Sequence, residues 1–206
     1  MRVLPILFST EMVRAILDGR KTCTRRSVIS RQFLGMLPDK CKNAAPDEFL
    51  KGKRMMFKPY CDMTDAELIM TAYKAPYEPG DILYVRETWK KAPNGYYYYE
   101  DWQRNDIADV TKWKPSIHMP KEAARIWLKV TDVRVERLQE IASEQISREG
   151  VEVEYPHVLN GEEKRYAFST LWNSTIKKTD LDRYGWDANP FVWVIEFERC
   201  EKPEVN

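Results

Sequence analysis

The sequence predicts an α+β fold with a small mixed β-barrel or sheet at its centre. Apolar or alternating segments, which are typical of strands, are separated by turns and by a few short segments with helical spacing. The 206 residues are 43% hydrophobic and 12% aromatic, a composition that supports a core and excludes a disordered chain. A domain holds roughly 100–200 residues. We therefore expect a single domain over residues 1–206, with insertions at about 30–79 and 90–120.

The first elements are a strand and a short helix. Val3–Phe8 is apolar and is predicted to be a strand. Ser9 or Thr10 is suited to cap the helix that follows. Gly19 is suited to end it, because a glycine commonly follows the last helical turn. Residues from Arg20 onwards are therefore expected to leave a helix end and to enter a loop or strand.

Both insertions contain local signals. The first, at about 30–79, is predicted to be irregular apart from a short helix at Thr64–Met70. A turn then leads into a strand at Ile82–Glu87. The second insertion, at about 90–120, is rich in Tyr and Trp. Tyr96–Tyr99 and Trp102 fit two interpretations, an aromatic platform for nucleic acid or a hairpin with one packed side, and we favour the hairpin.

The C-terminal half holds the other predicted elements. They are an alternating strand at Ala124–Leu138 with a bulge near Thr131 and Asp132, a short helix at Ser143–Glu149 ended by Gly150, an amphipathic helix around Phe168, Leu171 and Trp172, and a strand at Phe191–Arg199. The spacing of apolar residues is the basis for each of them. In the last strand Phe191, Trp193, Ile195 and Phe197 are expected to share one side.

Charge and hydropathy exclude several classes of protein. The chain has 33 Lys and Arg against 32 Asp and Glu, a net charge of +1, which excludes a polycation that coats nucleic acid by bulk charge. No apolar run approaches the ~20 residues that span a bilayer. The N-terminus lacks the pattern of a signal peptide. We therefore expect a cytoplasmic protein with no membrane partner.

The cysteines give little sign of a metal site. Cys23, Cys41, Cys61 and Cys200 are scattered and form no CxxC pair. With only His118 and His157 as further ligands, a zinc site is weakly indicated. We expect free thiols, no metal and no cofactor.

The strongest chemical signal is the basic segment Gly19–Arg26. Between Arg14 and Arg31 six cations face the single carboxylate of Asp18; they are Arg14, Arg20, Lys21, Arg25, Arg26 and Arg31. One interpretation is a site for phosphate or nucleic acid, in which hydroxyl groups such as that of Thr22 also make contacts. The other is a solvated turn held by salt bridges.

The same segment also fits a catalytic interpretation. Neighbouring cations favour the uncharged form of a lysine, so Lys21 is a candidate base for the hydroxyl of Thr24 or Thr22. In an extended strand the side chains at positions 21 and 24 point to opposite faces. Lys21 and Thr24 can meet only if the chain turns there, as Gly19 permits.

The chain resembles the ASCH domain family, in particular its longer members from bacteriophages and prophages. The matching segments are ILFSTEMVRAILDGRKTCTRR, PGDILYVRETW, ARIWLKVTDVRVERLQEIASEQISREG, LWNS and WDANPFVWVIEF, which cover most of the chain outside the insertions. The resemblance implies a PUA-like β-barrel, similar to RNA-binding PUA domains, with a cleft suited to a nucleic acid or a nucleoside.

The resemblance also implies a catalytic set. Some small members of the family are amidohydrolases that deacylate N4-acetylcytidine with a Lys, a Thr and a Glu. The matching positions here are Lys21, Thr24 and Glu149. In such a mechanism Lys21 deprotonates Thr24, which attacks the acyl carbon, and Glu149 handles protons on the leaving amine. Glu149 is expected in the last turn of its helix, where the helix dipole disfavours a carboxylate.

Each of the other candidate site residues has two interpretations, one as a ligand contact and one as a structural residue. Arg86 and Glu87 are predicted to form an ion pair or to contact a ligand, and Trp89 to stack on a base or to fill the core. His118 lies between prolines in a loop and is a candidate for recognition or for a structural hydrogen bond. Asn189 is expected either to hydrogen-bond to the edge of a base or to form a turn with Asp187.

The sequence therefore predicts a protein that binds RNA, DNA or a modified nucleoside in a basic cleft lined by residues 19–26. Within this segment we assign binding to Arg20, Thr22, Arg25 and Arg26. Hydrolysis of an N4-acylated cytidine is the catalytic extension. The alternatives are a non-catalytic nucleic-acid-binding module and a phage structural or interaction protein.

Overall fold

The computed structural model describes residues 1–29, 31, 64–104, 112–153 and 162–204. Seven strands are found in these ranges: β1 (Val3–Leu7), β2 (Cys23–Ser27), β3 (Ile82–Arg86), β4 (Trp89–Ala92), β5 (Gly95–Tyr98), β6 (Trp127–Arg137) and β7 (Phe191–Cys200). Six α-helices accompany them: α1 (Thr10–Leu17), α2 (Asp65–Ala72), α3 (Tyr99–Arg104), α4 (Ser143–Arg148), α5 (Glu162–Thr175) and α6 (Leu181–Tyr184). The predicted α+β class is confirmed.

The strands form one mixed sheet and one hairpin. The sheet has the order β1-β3-β6-β7-β2, and the hairpin pairs β4 with β5. β1 runs parallel to β3, with Val3 opposite Ile82, whereas β3 and β6 are antiparallel, with Leu83 opposite Leu128. β1 and β2 are the end strands of this order, so closure of the sheet into a barrel stays a prediction.

Contacts within the chain define two compact units. The first comprises Met1–Thr22, Pro79–Thr131 and Glu196–Asn206, and the second comprises Cys23–Glu78 and Asp132–Ile195. β6 and β7 each have residues in both units. The single domain expected over residues 1–206 stays a prediction.

Each unit has its own apolar core. In the first unit the buried cluster consists of Ile82, Trp89, Met119, Ala123, Ala124 and Trp127. In the second unit it consists of Leu138, Ile141, Ile146, Phe168, Trp172, Val192 and Val194. The amphipathic helix predicted around Phe168 and Trp172 is α5, and these two side chains are its buried ones.

The predicted helix boundaries are confirmed wherever a cap residue defined them. The Ser9 side chain caps α1 by accepting from the Met12 backbone N–H. Gly19 follows α1 with a φ of 75°, a left-handed conformation that glycine adopts without the steric cost of a Cβ. Thr64 caps α2 in a reciprocal capping box with Glu67. Gly150, with a φ of 85°, follows α4 as predicted.

The burial pattern that was predicted for β6 agrees with the structure better than the one predicted for β7. Along β6 the alternation changes phase between Val130 and Val133, with both Thr131 and Asp132 exposed, as a bulge there predicts. Phe191–Ile195 of β7 is buried at every position. The prediction of a single buried side for this strand is therefore incomplete, because the second side, with Val192 and Val194, packs in the core of the second unit.

Of the helices that the structure describes, none is both long and apolar enough to cross a membrane.

Candidate functional site

The basic segment begins with a turn around the end of α1. The backbone N–H groups of Arg20 and Lys21 both donate to the Ala15 carbonyl, at 2.9 and 3.0 Å. These bonds bend the chain back over the helix terminus after Gly19. Lys21 therefore precedes β2, which begins at Cys23, and is not part of an extended strand. That Lys21 and Thr24 meet stays a prediction.

Lys21 lies inside the first unit and not in solvent. Its side chain is 4% exposed, and its Nζ lies 5.4 Å from the centre of the Phe8 ring. Phe8 packs in turn against Phe197, with ring centres 6.2 Å apart. The neighbouring Thr22 carbonyl accepts from the Phe197 N–H at 2.9 Å. An ammonium group over an aromatic face is attracted by the ring quadrupole, so the aromatic pair helps to hold this amine in place.

Arg25 is the centre of a buried polar cluster in the second unit. Its side chain is 1% exposed. One guanidinium nitrogen, Nη1, donates to Glu149 Oε1 at 3.1 Å, and Nη2 donates to Glu136 Oε2 at 3.1 Å and to Gln145 Oε1 at 3.0 Å. The Arg25 side chain thus connects β2 to Glu136 of β6, to Gln145 of α4 and to Glu149, the C-terminal cap of α4. We call Arg25, Glu136, Gln145 and Glu149 the Arg25 cluster.

Glu149 has the position that the helix pattern predicts. It is the C-terminal cap of α4, and its backbone N–H donates hydrogen bonds to carbonyls of the last turn. Glu149 is 5% exposed. The helix dipole disfavours a carboxylate at this end. The Arg25 guanidinium supplies the opposite charge that a buried carboxylate requires.

Thr24 is buried, at 2% exposed, but on a different face of β2. Cys23 and Arg25 both contact Gln145 of α4, through the Cys23 Sγ and the Arg25 guanidinium. Because side chains alternate along a strand, Thr24 points away from these contacts. No hydrogen bond to its hydroxyl is found among the described residues. The structure brings Glu149 to Arg25, and that Glu149 and Thr24 act together stays a prediction.

The two other arginines of the segment differ in their surroundings. Arg20 is partly exposed and pairs with Asp18 at 3.2 Å. Arg26 is partly buried, and its Nη1 donates to the Arg25 carbonyl at 3.2 Å. Burial lowers the pKa of Arg26, while the charges of Tyr77 and Glu149 oppose this shift. Burial likewise raises the pKa of the Tyr77 hydroxyl, against the effect of Arg26.

The predicted ion pair of Arg86 with Glu87 is wrong. Arg86 donates through Nε to the Met119 carbonyl at 2.9 Å and through Nη2 to the Ile117 carbonyl. Glu87, 2% exposed, instead receives two hydrogen bonds from Arg125, both at 2.9 Å. Adjacent residues at the end of a strand direct their side chains to opposite faces, so each finds a different partner.

Arg125 holds a second charge cluster, in the first unit, in which Glu87 is buried and Asp101 is about half exposed. Besides Glu87 it binds both oxygens of Asp101 at 2.7 Å, and its guanidinium lies 4.0 Å from the centre of the Tyr98 ring. Burial alone would lower the pKa of Arg125, but its bonds to Glu87 and Asp101 raise it. Burial raises the pKa of Glu87, and Arg125 opposes that shift. This cluster ties the start of the hairpin and α3 to the segment before β6.

The remaining candidates divide between core and surface. Trp89 is a core residue, 5% exposed, packed near Tyr96 with ring centres 5.8 Å apart. His118 is exposed at the end of a short 3₁₀ turn, and its role in recognition stays a prediction. Asn189 has a φ of 44°, and its Oδ1 accepts from the Gln139 N–H at 2.9 Å. The structural interpretations of Trp89 and Asn189 are the ones that the contacts support.

Of the cysteines and histidines considered as metal ligands, some lie outside the described residues. Cys23 is buried and Cys200 is half-buried, both as free thiols, whereas Cys41, Cys61 and His157 lie outside the described residues. Within the described ranges no group of three or more His, Cys, Asp and Glu side chains is placed to hold a metal ion.

Sequence reasoning missed the residues that position the site. Glu136 and Gln145 lie 111 and 120 residues from Arg25 in the chain, and no local motif marks them. Arg125 and Asp101 were missed for the same reason. The available signal was Arg25 itself, since an arginine at a buried position of a strand requires carboxylate partners.

The chain was compared with family models, with curated proteins and with solved structures. No family model matches the chain, and no curated protein matches it. Among solved structures the chain is similar to the crystal structure of an ASCH domain from Lactobacillus crispatus JV V101. The match has 8% identity and a TM-score of 0.39, and it covers 96% of this chain and 79% of that chain. A TM-score below 0.5 does not transfer the role of any residue, and the link to bacteriophages stays a prediction.

Proposed function

We propose that this protein binds a modified pyrimidine nucleoside, free or within a nucleic acid, and hydrolyses an acyl amide on N4 of the base. The observation that supports the proposal is burial. Lys21, Thr24 and Glu149 are 4%, 2% and 5% exposed, although two of them carry ionisable groups. Such groups are rarely buried unless they are paired; here Glu149 binds Arg25, and the Lys21 Nζ lies over the Phe8 ring. A buried set fits chemistry on a small group better than contact with a long phosphate backbone.

The proposed reaction is hydrolysis through an ester on Thr24. The Thr24 hydroxyl attacks the acyl carbon, and the bond between this carbon and N4 breaks. The hydroxyl proton goes to the amine of Lys21, and the leaving nitrogen receives a proton from the protonated carboxyl group of Glu149. The extra proton on Lys21 returns to Glu149 through water during the next step, which restores both groups. Water then cleaves the threonyl ester, which releases the carboxylic acid and restores the hydroxyl. The products are the free nucleoside and the acid.

The Arg25 cluster gives Arg25 a positioning role in this proposal. The guanidinium is 1% exposed and is bound to two carboxylates, so it holds Glu149 and orders β2, the strand that carries Thr24. Arg20 and Arg26, which are more exposed, are the arginines that we assign to phosphate or base contacts.

A panel of N4-acylated cytidines tests the activity. We expect the purified protein to convert one or more of them to cytidine, measured by mass spectrometry of the nucleosides. The matched control variants are Thr131→Ala and Lys129→Ala, both on exposed positions of β6, and both should keep the activity. A panel that stays intact but raises the melting temperature would support the non-catalytic binding module. An intact panel with no shift from nucleosides or oligonucleotides would support the interaction protein.

A Glu149→Gln variant separates proton transfer from positioning. Glutamine keeps an oxygen that accepts from Arg25 Nη1, a bond of 3.1 Å in the wild type, but it has no acidic proton to give. We expect the rate of amide cleavage to fall by about 10²–10⁴-fold while the variant stays folded. A variant that cleaves at the wild-type rate would show that the residue is only structural. Thermal unfolding of the same samples is the control for folding.

A further inference from the structure

The hairpin of the first unit carries a pocket that the proposed reaction does not use. Its volume is about 230 Å³, and it is lined by Lys90, Ala92, Tyr97, Trp102 and Trp113. Ligand sites for larger molecules span roughly 300–1,000 Å³. The pocket is therefore of a size for one flat ring system and not for an extended ligand.

The aromatic rings of the pocket meet edge to face. Trp102 and Trp113 have ring centres 5.9 Å apart at an interplanar angle of 67°, and Tyr97 and Trp102 are 6.4 Å apart at 82°. An edge-to-face contact covers at most one face of one ring. Tyr99 also meets Trp113 edge to face, at 5.3 Å and 68°, and the surfaces of Tyr97, Trp102 and Trp113 that these contacts leave uncovered line the pocket.

The backbone fixes the walls of the pocket against each other. β4 and β5 pair from Trp89 opposite Tyr98 to Ala92 opposite Gly95. Trp89 and Lys114 then exchange two backbone hydrogen bonds, of 3.2 and 2.9 Å, which hold the segment of Trp113 beside the hairpin. Because these backbone bonds fix the walls of the pocket, binding of a ligand there costs little free energy for ordering of the protein.

The walls also contain hydrogen-bond donors without an acceptor. The indole N–H groups of Trp102 and Trp113 are buried and have no hydrogen-bond partner among the described residues. A buried donor in this state is costly, and most are satisfied in native proteins. Both indoles are therefore held by packing against neighbouring rings and not by hydrogen bonds within the described residues.

The charge around the pocket is positive. Four lysines lie on β4 and the segment beside it: Lys90, Lys91, Lys112 and Lys114. Lys91 and Lys114 place their Nζ atoms 5.7 and 5.1 Å from the Tyr96 and Trp89 rings. The nearby carboxylates of Glu100 and Asp101 are paired with arginines, Arg14 and Arg125. Of the described residues that line the pocket, Lys90 carries the charge, and the other three lysines lie on the same two segments.

We propose that this pocket, which we call the hairpin pocket, binds one unstacked base of a single-stranded nucleic acid, with the lysines close to the neighbouring phosphates. Stacking on aromatic side chains beside a basic surface is how proteins hold single strands. A base in a duplex is stacked on both faces and paired along one edge, so we expect the pocket to favour single strands. Proline-rich peptides also dock in aromatic grooves, but the lysines favour a polyanion. The proposal rests on residues other than Lys21, Thr24 and Glu149 and stands independently of the hydrolase.

Binding of labelled oligonucleotides tests the proposal. Fluorescence anisotropy is measured with single-stranded RNA, single-stranded DNA of the same sequence, their duplexes and a proline-rich peptide. We expect both single strands, or one of them, to bind more tightly than the duplexes. Trp102→Ala should weaken this binding by about 5- to 150-fold. The control variant Tyr166→Ala removes an aromatic ring on α5 that is 75% exposed and should leave the affinity unchanged.

A second variant keeps the test valid if Trp102→Ala does not fold. Lys90→Gln at the pocket wall should reduce the slope of log affinity against log salt by about one. Equal affinities of the Trp102→Ala and Tyr166→Ala variants, duplexes that bind as well as single strands, or binding of the peptide alone would each overturn the proposal. Absence of turnover in the acylcytidine assay, by contrast, does not bear on the hairpin pocket. That assay measures hydrolysis of free nucleosides and not the binding of oligonucleotides.

Discussion

Replacement of Arg25 by alanine should lower the free energy of unfolding by about 3–5 kcal/mol. The guanidinium is 1% exposed and binds Glu149 and Glu136, each at 3.1 Å. Loss of one partner from a buried ion pair leaves the other charge buried without compensation, which is costlier than loss of a surface pair. Urea denaturation followed by circular dichroism measures the change. This is the largest effect on stability that we expect from a single charged residue of the basic segment.

A matched variant separates burial from charge. Arg20 lies in the same segment and pairs with Asp18 at 3.2 Å, but both side chains are about one-third exposed, at 31% and 34%. Arg20→Ala should change the free energy of unfolding by about 0–1 kcal/mol. Arg25→Lys, which keeps one positive charge but not the planar fork, should lie between the two alanine variants. Equal losses for Arg20→Ala and Arg25→Ala would contradict a central role of the Arg25 cluster in stability.

Replacement of Lys21 by methionine should reduce the rate of amide hydrolysis by about 10²–10⁴-fold. Methionine has a similar length and can keep the apolar packing of the stem, while the amine that accepts a proton is lost. The lysine lies 5.4 Å from the Phe8 ring, a contact worth about 0.5–2 kcal/mol, so the variant should stay folded. Steady-state turnover of the best acylcytidine is the measurement. A rate within a few-fold of wild type would remove Lys21 from the mechanism, and Lys129→Ala on β6 is the control for loss of a positive charge.

The elements that depend on local chemistry could be predicted from the sequence. Ser9 and Gly19 define the two ends of α1, because a side-chain oxygen and a residue free to adopt a positive φ are needed there. Gly150 ends α4 for the same reason and so places Glu149 at the cap. Each of these features is set by residues within a few positions of one another, and local spacing is what a single sequence shows.

The contacts that build the site could not be predicted in the same way. Arg25 binds Glu149 across 124 residues of chain, and Glu87 binds Arg125 across 38. Such pairings depend on which strand lies beside which, and many carboxylates of this chain could have been chosen. The Arg86–Glu87 pair was wrong because it assumed that neighbours in sequence are neighbours in space. Likewise, the basic segment that was predicted to line a cleft holds two buried cations, Lys21 and Arg25.

The most direct test of the central claim is to trap the acyl group on the enzyme. The purified protein is mixed with N4-acetylcytidine, quenched with acid at short times, digested and analysed by tandem mass spectrometry. We predict a peptide that carries one added acetyl group on Thr24, its disappearance as cytidine accumulates, and neither signal nor turnover in Thr24→Ala. Cytidine release that persists in Thr24→Ala, or an acetyl group on a different residue during turnover, would contradict the proposed mechanism.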